Sequence, residues 1–342
     1  METTTQQSQM GGTGELMPEL GKVPVMTEPQ QTMHQGLQKE GFLPITLDCY
    51  PLLKQYEGEN CLQMRCLEIT TVWACEIHAL HKVIDDCLCT VVFMKSHGEY
   101  FLIFPKHGQE KSLQPVIDSL YDAALKAGFS RLYISGIEKR SLKNYTDIKK
   151  YKIEMGYNEV EHEYAYTIEN LLCMDGAVNY YKRKRIKRYL EKKEIRLEIM
   201  TSKNAACCID IIKKWCAAKS KEECDYCYSF YGCEKNVTRQ IVRLFPESDL
   251  TGLIGFDGDE PIGYIITQQH NKNVSQLCHG KGADNDFFVF LIYMFYKNYM
   301  QGPAYMNFGD NMGSMSLKFF KYKLSSSELW PVYFCSFTKI VP

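Results

Sequence analysis

A repeated order of elements constrains this chain most. Two β-rich runs at 87–94 and 99–104 read as a hairpin across Lys95-Ser96-His97-Gly98. A helical pattern follows at 111–128: Leu113, Val116, Ile117, Leu120 and Ala124 share one face, and Gly128 ends it. A strand is expected at 131–135. The same succession recurs as a hairpin at 251–268, turned at Asp257-Gly258, a helix at 286–299 and a strand at 304–308. The 342 residues leave room for two such units. The order implies an α/β (α+β) duplication, each unit a mixed sheet flanked by helices.

Composition narrows the class. The formal net charge is -1, with 45% apolar and 24% charged residues, as in a globular protein with sizeable cores. Residues 1–40 are rich in Gln, Thr, Met, Gly and Pro, without the basic start and apolar stretch of a secretory signal. They read as a disordered tail. The 15 cysteines read as reduced thiols in a cytoplasmic protein, Cys224-x-x-Cys227 included. His78 and His81 have no third ligand at metal spacing, so no metal is assigned. No run reaches the roughly 18–20 apolar residues of a membrane span. Peripheral membrane contact stays open. The expected units are 41–163 and 164–342.

The charge is concentrated. From Lys182 to Arg196 nine cations stand against two anions, Glu191 and Glu194. Ile186, Tyr189 and Leu190 give this segment one buried helical face. Its cations describe either a solvated face or a site for a polyanion such as a phosphate backbone.

Around that helix the chain resembles a known family. Tyr164-x-Tyr166, the Leu171-Leu172 pair, Gly176, and Lys182-Arg183 before an apolar-aromatic stripe are similar to the C-terminal domain of phosphatidylglycerol lysyltransferases. Trp215, Glu234, Lys281, Asn307 and Gly313 fall where that family's pattern puts them, and Leu317, Lys318 and Lys321 echo its closing Leu-Arg-x-x-Lys. Trp73 matches an aromatic after small polar residues. The family's Glu before the loop lysine is Gly280 here, and Asp310 lies between the positions of two family acids.

The resemblance implies tandem GNAT folds and transfer of an amino acid from aminoacyl-tRNA to an acceptor whose identity it does not give. It implies Lys182, Arg183 and Arg185 on tRNA phosphates, Lys281 on developing negative charge, and Asn307 or Asp310 for acceptor orientation or proton removal. Tyr164, Tyr166, Glu234, Lys318 and Lys321 are expected on the substrate. In acyl-CoA enzymes of the GNAT fold, a Gly-rich loop before a helix N-terminus holds the pyrophosphate. His279-Gly280-Lys281-Gly282-Ala283 supplies Gly-x-Gly at that junction, which puts Gly280 and Gly282 on phosphates. The expected Gln/Arg position is Leu277. Acetyl-CoA or another acyl-CoA is thus the alternative donor. A catalytically degenerate scaffold binding RNA or a protein partner is the non-enzymatic reading.

Overall fold

A computed structural model describes residues 25–56, 78–94, 98–106, 112–157, 159–177, 179–225, 232–311, 313–325 and 327–340. Trp73 and Cys227 lie outside them. Ten of its helices are α1 (Glu28–Lys39), α2 (Tyr50–Lys54), α3 (Gln114–Lys126), α4 (Leu142–Thr146), α5 (Ile168–Leu172), α6 (Tyr180–Leu190), α7 (Cys207–Ala217), α8 (Glu234–Leu244), α9 (Asn285–Asn298) and α10 (Met315–Leu324). The first sheet is built from β1 (Leu43–Pro44), β2 (Leu80–Ile84), β3 (Cys87–Met94), β4 (Gly98–Pro105), β5 (Leu132–Glu138) and β6 (Tyr151–Tyr157), with β14 (Val332–Lys339) added. The second holds β7 (Glu163–Thr167), β8 (Ile195–Ile199), β9 (Leu250–Asp257), β10 (Glu260–Asn271), β11 (Val274–Gly282), β12 (Tyr305–Asn307) and β13 (Glu328–Trp330). This is the expected pair of mixed sheets flanked by helices, the tandem GNAT-like architecture.

Read from corresponding ends, the strand orders are β1-β2-β3-β4-β5-β14-β6 and β8-β9-β10-β11-β12-β7-β13. They agree slot for slot, and the sixth slot is exchanged. β7 follows β6 in the chain but pairs with β12 and β13; β14 follows β13 after Pro331 alone but pairs with β5 and β6. Each sheet therefore borrows a strand from the other half of the sequence. The last strand of the chain therefore does not close the second sheet. The unit 164–342 gives up its last strand, and that strand is not at an edge. Cys335 and Phe337 are fully buried in the first core.

Residues 28–39 also depart from the sequence reading. They form α1 rather than tail. Thr27 and Gln30 make a reciprocal capping box, and Gly36 lies so close to Ala127 that an added Cβ would sit 2.6 Å from its Cα. Polar composition hid a helix whose stability comes from packing on α3. α2 leans the other way. Tyr50 enters the core of the second unit beside Met200, Ile241 and Ile254, and Lys54 pairs with Asp249.

The two central helices differ in their surroundings. α3 buries the face made by Val116, Ile117, Leu120 and Ala124 against Leu132, Ile134 and Phe337. α9 is buried nearly all round, through Phe287, Val289, Phe290, Leu291, Ile292, Tyr293, Phe295 and Tyr296, because β9–β11, α5 and α6 contact it on several sides.

Candidate functional site

β11 and β12 run parallel, but only Val274–Gln276 pair with Tyr305–Asn307. Beyond that the two strands part. Residues 279–282 are not a loop, as the Gly-x-Gly reading expects. They continue β11 against β10, Gly280 opposite Ile265, Lys281 opposite Tyr264 and Gly282 opposite Gly263. The glycines serve packing. A Cβ on Gly280 would stand 2.5 Å from the Phe288 ring, and one on Gly282 would stand 2.9 Å from the Phe288 amide nitrogen.

Strand alternation puts His279 and Lys281 on one face, toward α8. Glu234, the first residue of α8, accepts from both. Its Oε2 is 2.6 Å from His279 Nε2, and its Oε1 is 2.9 Å from Lys281 Nζ. Burial acts to raise the Glu234 carboxyl, but Lys281 and His279 outweigh it and hold the carboxyl well below the usual carboxylate range. The other ring nitrogen of His279 is 2.8 Å from the Tyr264 hydroxyl. Thr238 gives its proton to the Glu234 carbonyl at 2.8 Å and lies 3.3 Å from the Tyr264 hydroxyl. Against the ionised Glu234 the His279 Nε2 donates, and both ring nitrogens are engaged inside the protein. Lys281 differs. One of its three N–H donors meets Glu234, and the ammonium lies 4.3 Å from the Trp215 ring centre. Its side chain keeps 17% exposure against 5% for His279, so Lys281 is the member of the cluster that faces outward.

A second cluster lies at the other side of the divergence, where β12 runs into α10. Asn307 is fully buried and uses both ends of its amide, donating to Glu163 at 2.9 Å and accepting from the Gly309 amide at 2.8 Å. That commitment corrects its reading as an acceptor-orienting residue. Lys321 is 1% exposed and donates to the carbonyls of Phe308, Gly309 and Asp310, which uses all three donors. It clamps the 308–310 loop and has no donor left for a substrate. Burial lowers its pKa to about 7, although Asp310 and Glu163 pull the other way. The Tyr164 ring packs 5.2 Å from the Lys321 ammonium, and the Tyr166 hydroxyl donates to the Lys321 carbonyl at 2.8 Å. Both tyrosines are buried supports of the loop, not substrate contacts. Asp310 is half-buried at the loop end, and Lys318 leans on Tyr322. Phe288, Phe308 and Phe320 contact one another across the gap between the two clusters.

The basic helix splits into cations turned into the protein and cations on its surface, where Lys187 also pairs with Glu191 at 3.6 Å. Lys182 is 3% exposed and donates to the carbonyls of Asn170 and Leu171, closing the end of α5. Burial lowers its pKa to about 8. Arg183 donates to the carbonyls of Met174 and Gly176. These two are structural, which corrects their placement on phosphates. Arg185 pairs with Asp286 at 3.1 Å, and Arg188 with Asp286 at 3.3 Å and Asp284 at 3.8 Å. Lys184, Lys187 and Arg188 are exposed, and with Tyr181, Arg185, Glu191 and Asp286 they line an open groove of ≈ 760 Å³.

The N-terminus of α9, where the fold would receive a pyrophosphate, is already occupied. Asp284 caps it, accepting from the Phe287 amide at 2.7 Å and from the Tyr189 hydroxyl at 2.8 Å. Asp286 sits in the first turn. Arg185 and Arg188 pair with these carboxylates, so it is the Asp284 cap on the Phe287 amide, rather than net charge, that takes a donor a CoA pyrophosphate would need.

His279, Tyr264 and Thr238 were missed at the sequence level. The signal was present, since His279 and Lys281 are two apart, but reading the glycines as a loop hid the alternation.

The sequence matches the family described as phosphatidylglycerol lysyltransferase, C-terminal, over residues 76–315. No curated protein matches it. Among solved structures, a conserved protein of unknown function from Bacteroides thetaiotaomicron superposes with a TM-score of 0.74 at 16% identity, covering 87% of this chain and 99% of the other. L-PGS from Bacillus licheniformis superposes with a TM-score of 0.53 at 12% identity, covering 95% of each chain. At these identities the superpositions speak for the fold, and the sequence match assigns the lineage: the chain belongs to the phosphatidylglycerol lysyltransferase C-terminal family.

Proposed function

We propose that the protein is an aminoacyltransferase that takes its amino acid from aminoacyl-tRNA. The observation that carries this over an acyl-CoA donor is the carboxylate of Asp284 at the N-terminus of α9. The family supports aminoacyl transfer, and the exposed cations beside Tyr181 suit a single-stranded nucleic-acid end that must be bound through phosphates and stacking.

In this reading an acceptor amine or hydroxyl attacks the ester carbonyl, forming a bond to carbon and an oxyanion. Lys281, oriented by ionised Glu234, stabilises that oxyanion with its remaining donors. Collapse breaks the ester C–O bond and returns the proton lost by the acceptor to the tRNA ribose oxygen. Glu234 is held ionised too firmly to be the base, and His279 has no free nitrogen. Asp310, held at the loop end by the Lys321 clamp, is the group we assign to carry the proton. Lys184, Lys187 and Arg188 take the tRNA phosphates.

The test supplies tRNAs charged with labelled amino acids and follows label leaving the tRNA in the presence of lipid and peptide extracts, with acetyl-CoA titrated separately by calorimetry. The expected result is label transfer that falls about 10²–10³-fold in Lys281→Met while tRNA binding persists. Tight, saturable acetyl-CoA binding without label transfer would overturn the reading.

A further inference from the structure

β6 is the outer strand of the first sheet, and at seven residues it is longer than the other edges, β1 with two, β13 with three and β8 with five. Among the described residues no strand pairs with its free side. Its neighbour fixes which way its backbone groups point. The Ile340 amide donates to the Lys150 carbonyl at 3.2 Å, in the same register that sets Lys339 opposite Tyr151 and Ser336 opposite Glu154. Bonded pairs alternate along an antiparallel ladder, so Lys152, Glu154 and Gly156 also turn their N–H and C=O groups to β14. Tyr151, Ile153, Met155 and Tyr157 turn theirs outward. Such a row on an edge strand is a template for another strand.

The side chains say which strand fits. Tyr151 and Ile153 pack into the first core, whereas Met155 and Tyr157 are 51% and 56% exposed. Lys152 and Glu154 pair with each other at 3.0 Å, both on the surface. Charges on an edge commonly guard it against pairing. Opposite charges two residues apart do the reverse for one partner, a second copy of the same strand. When two copies meet antiparallel with Ile153 at the two-fold axis, Lys152 of each stands opposite Glu154 of the other. An axis at Lys152 or at Glu154 would set like charges face to face, which is destabilising. β8 also carries a cation and an anion two apart, but they are committed within the chain. Arg196 stacks 4.3 Å from the Phe256 ring centre, and Glu198 accepts from Asn204 at 3.3 Å.

We propose that β6 docks on β6 of a second copy of this chain, antiparallel and centred on Ile153, joining two seven-stranded sheets edge to edge. The two Ile153 residues exchange both backbone bonds, and Tyr151 of each copy does the same with Met155 of the other. Met155 then packs beside Tyr151 of the second copy and loses its exposure to water. The contact is self-complementary, so it closes at two copies. The proposal does not depend on the transfer chemistry.

The test is sedimentation velocity of the full chain across a dilution series, for the wild type, for Lys152→Glu, for Glu154→Lys and for an equimolar mixture of these two variants. The wild type should dimerise reversibly. Each variant alone should dimerise at least about tenfold more weakly, because two opposed pairs turn repulsive. The mixture should recover the dimer, since each variant brings the sign the other has lost, and that recovery also shows that both are folded. Met155→Pro removes one outward N–H and no bond to β14, so it should unfold cooperatively and sediment as a monomer. A wild type that stays monomeric at every concentration would leave the edge to a strand of another protein and overturn the proposal. A dimer indifferent to both charge variants would place the contact elsewhere. Two monomeric variants that fail to pair when mixed would rule out the axis at Ile153.

Discussion

In the first sheet β4 carries Leu102, Ile103 and Phe104 past its pairing with β5. In the second, β11 holds the same slot and carries His279, Gly280 and Lys281 past its pairing with β12. The slots, the parallel neighbour and the following helix correspond. Where the first strand buries hydrocarbon in two cores, the second places two ionisable groups against Glu234 and two glycines under Phe288. The divergence of parallel strands is thus a place the fold provides twice, and side-chain chemistry decides whether it is packed shut or kept polar. One unit packs this place with hydrocarbon and the other lines it with the Glu234 cluster.

The largest test of this division concerns the exchanged strand. A chain stopped after Pro331 lacks β14, which lies between β5 and β6 and buries Cys335 and Phe337. The first sheet should fail to form, with loss of cooperative unfolding by circular dichroism. A truncated chain that still melts cooperatively would show that the two sheets are less interdependent than their strand order implies. Next come paired substitutions at matching slots. Phe101→Ala, fully buried in the first unit, should cost about 3–5 kcal/mol of stability and leave activity per folded molecule unchanged. Lys281→Met should cost activity per folded molecule, and also some stability because Glu234 loses its main partner; full activity in the folded variant would erase the contrast. A smaller effect is expected at Gly280→Ala, where the new Cβ meets Phe288 and overpacking costs about 1–3 kcal/mol. Urea unfolding of that variant measures it.

A pH trend tests the Lys321 clamp. Burial lowers Lys321 to about 7, while the unfolded side chain keeps its proton to near 10.5. Between these values the unfolded chain binds more protons, so stability rises with pH. Relative to Lys321→Met, the wild type should therefore gain stability from about pH 7 toward 10.5 and show no such trend below. Unfolding free energies that fall across that range instead would mean that the folded clamp holds the Lys321 proton more tightly than the unfolded chain does.

Much of this was legible in the sequence. The repeated hairpin, helix and strand were found because period-2 and period-3.6 patterns are local, as were the helices of Gln114–Lys126 and Asn285–Asn298. The exchange of β7 and β14 was not, because both strands have the same alternation wherever they pair. Lys182 and Lys321 stood out as family positions. That their donors go to carbonyls of α5 and of the 308–310 loop depends on contacts between segments, which charge counting does not see. Glu234 was visible by position, but its bond to His279 spans 45 residues and joins a helix start to a strand.

The reciprocal strands also set an order of events during synthesis. When a ribosome has made residues 1–331, β5 and β6 already exist, yet the strand that belongs between them does not. The first half must wait, open at an inner position, while the second half is translated and takes β7 from it. Domains that fold independently can finish one after the other as they emerge. Here neither half can finish first, and neither could be passed on alone by a break in the gene between them.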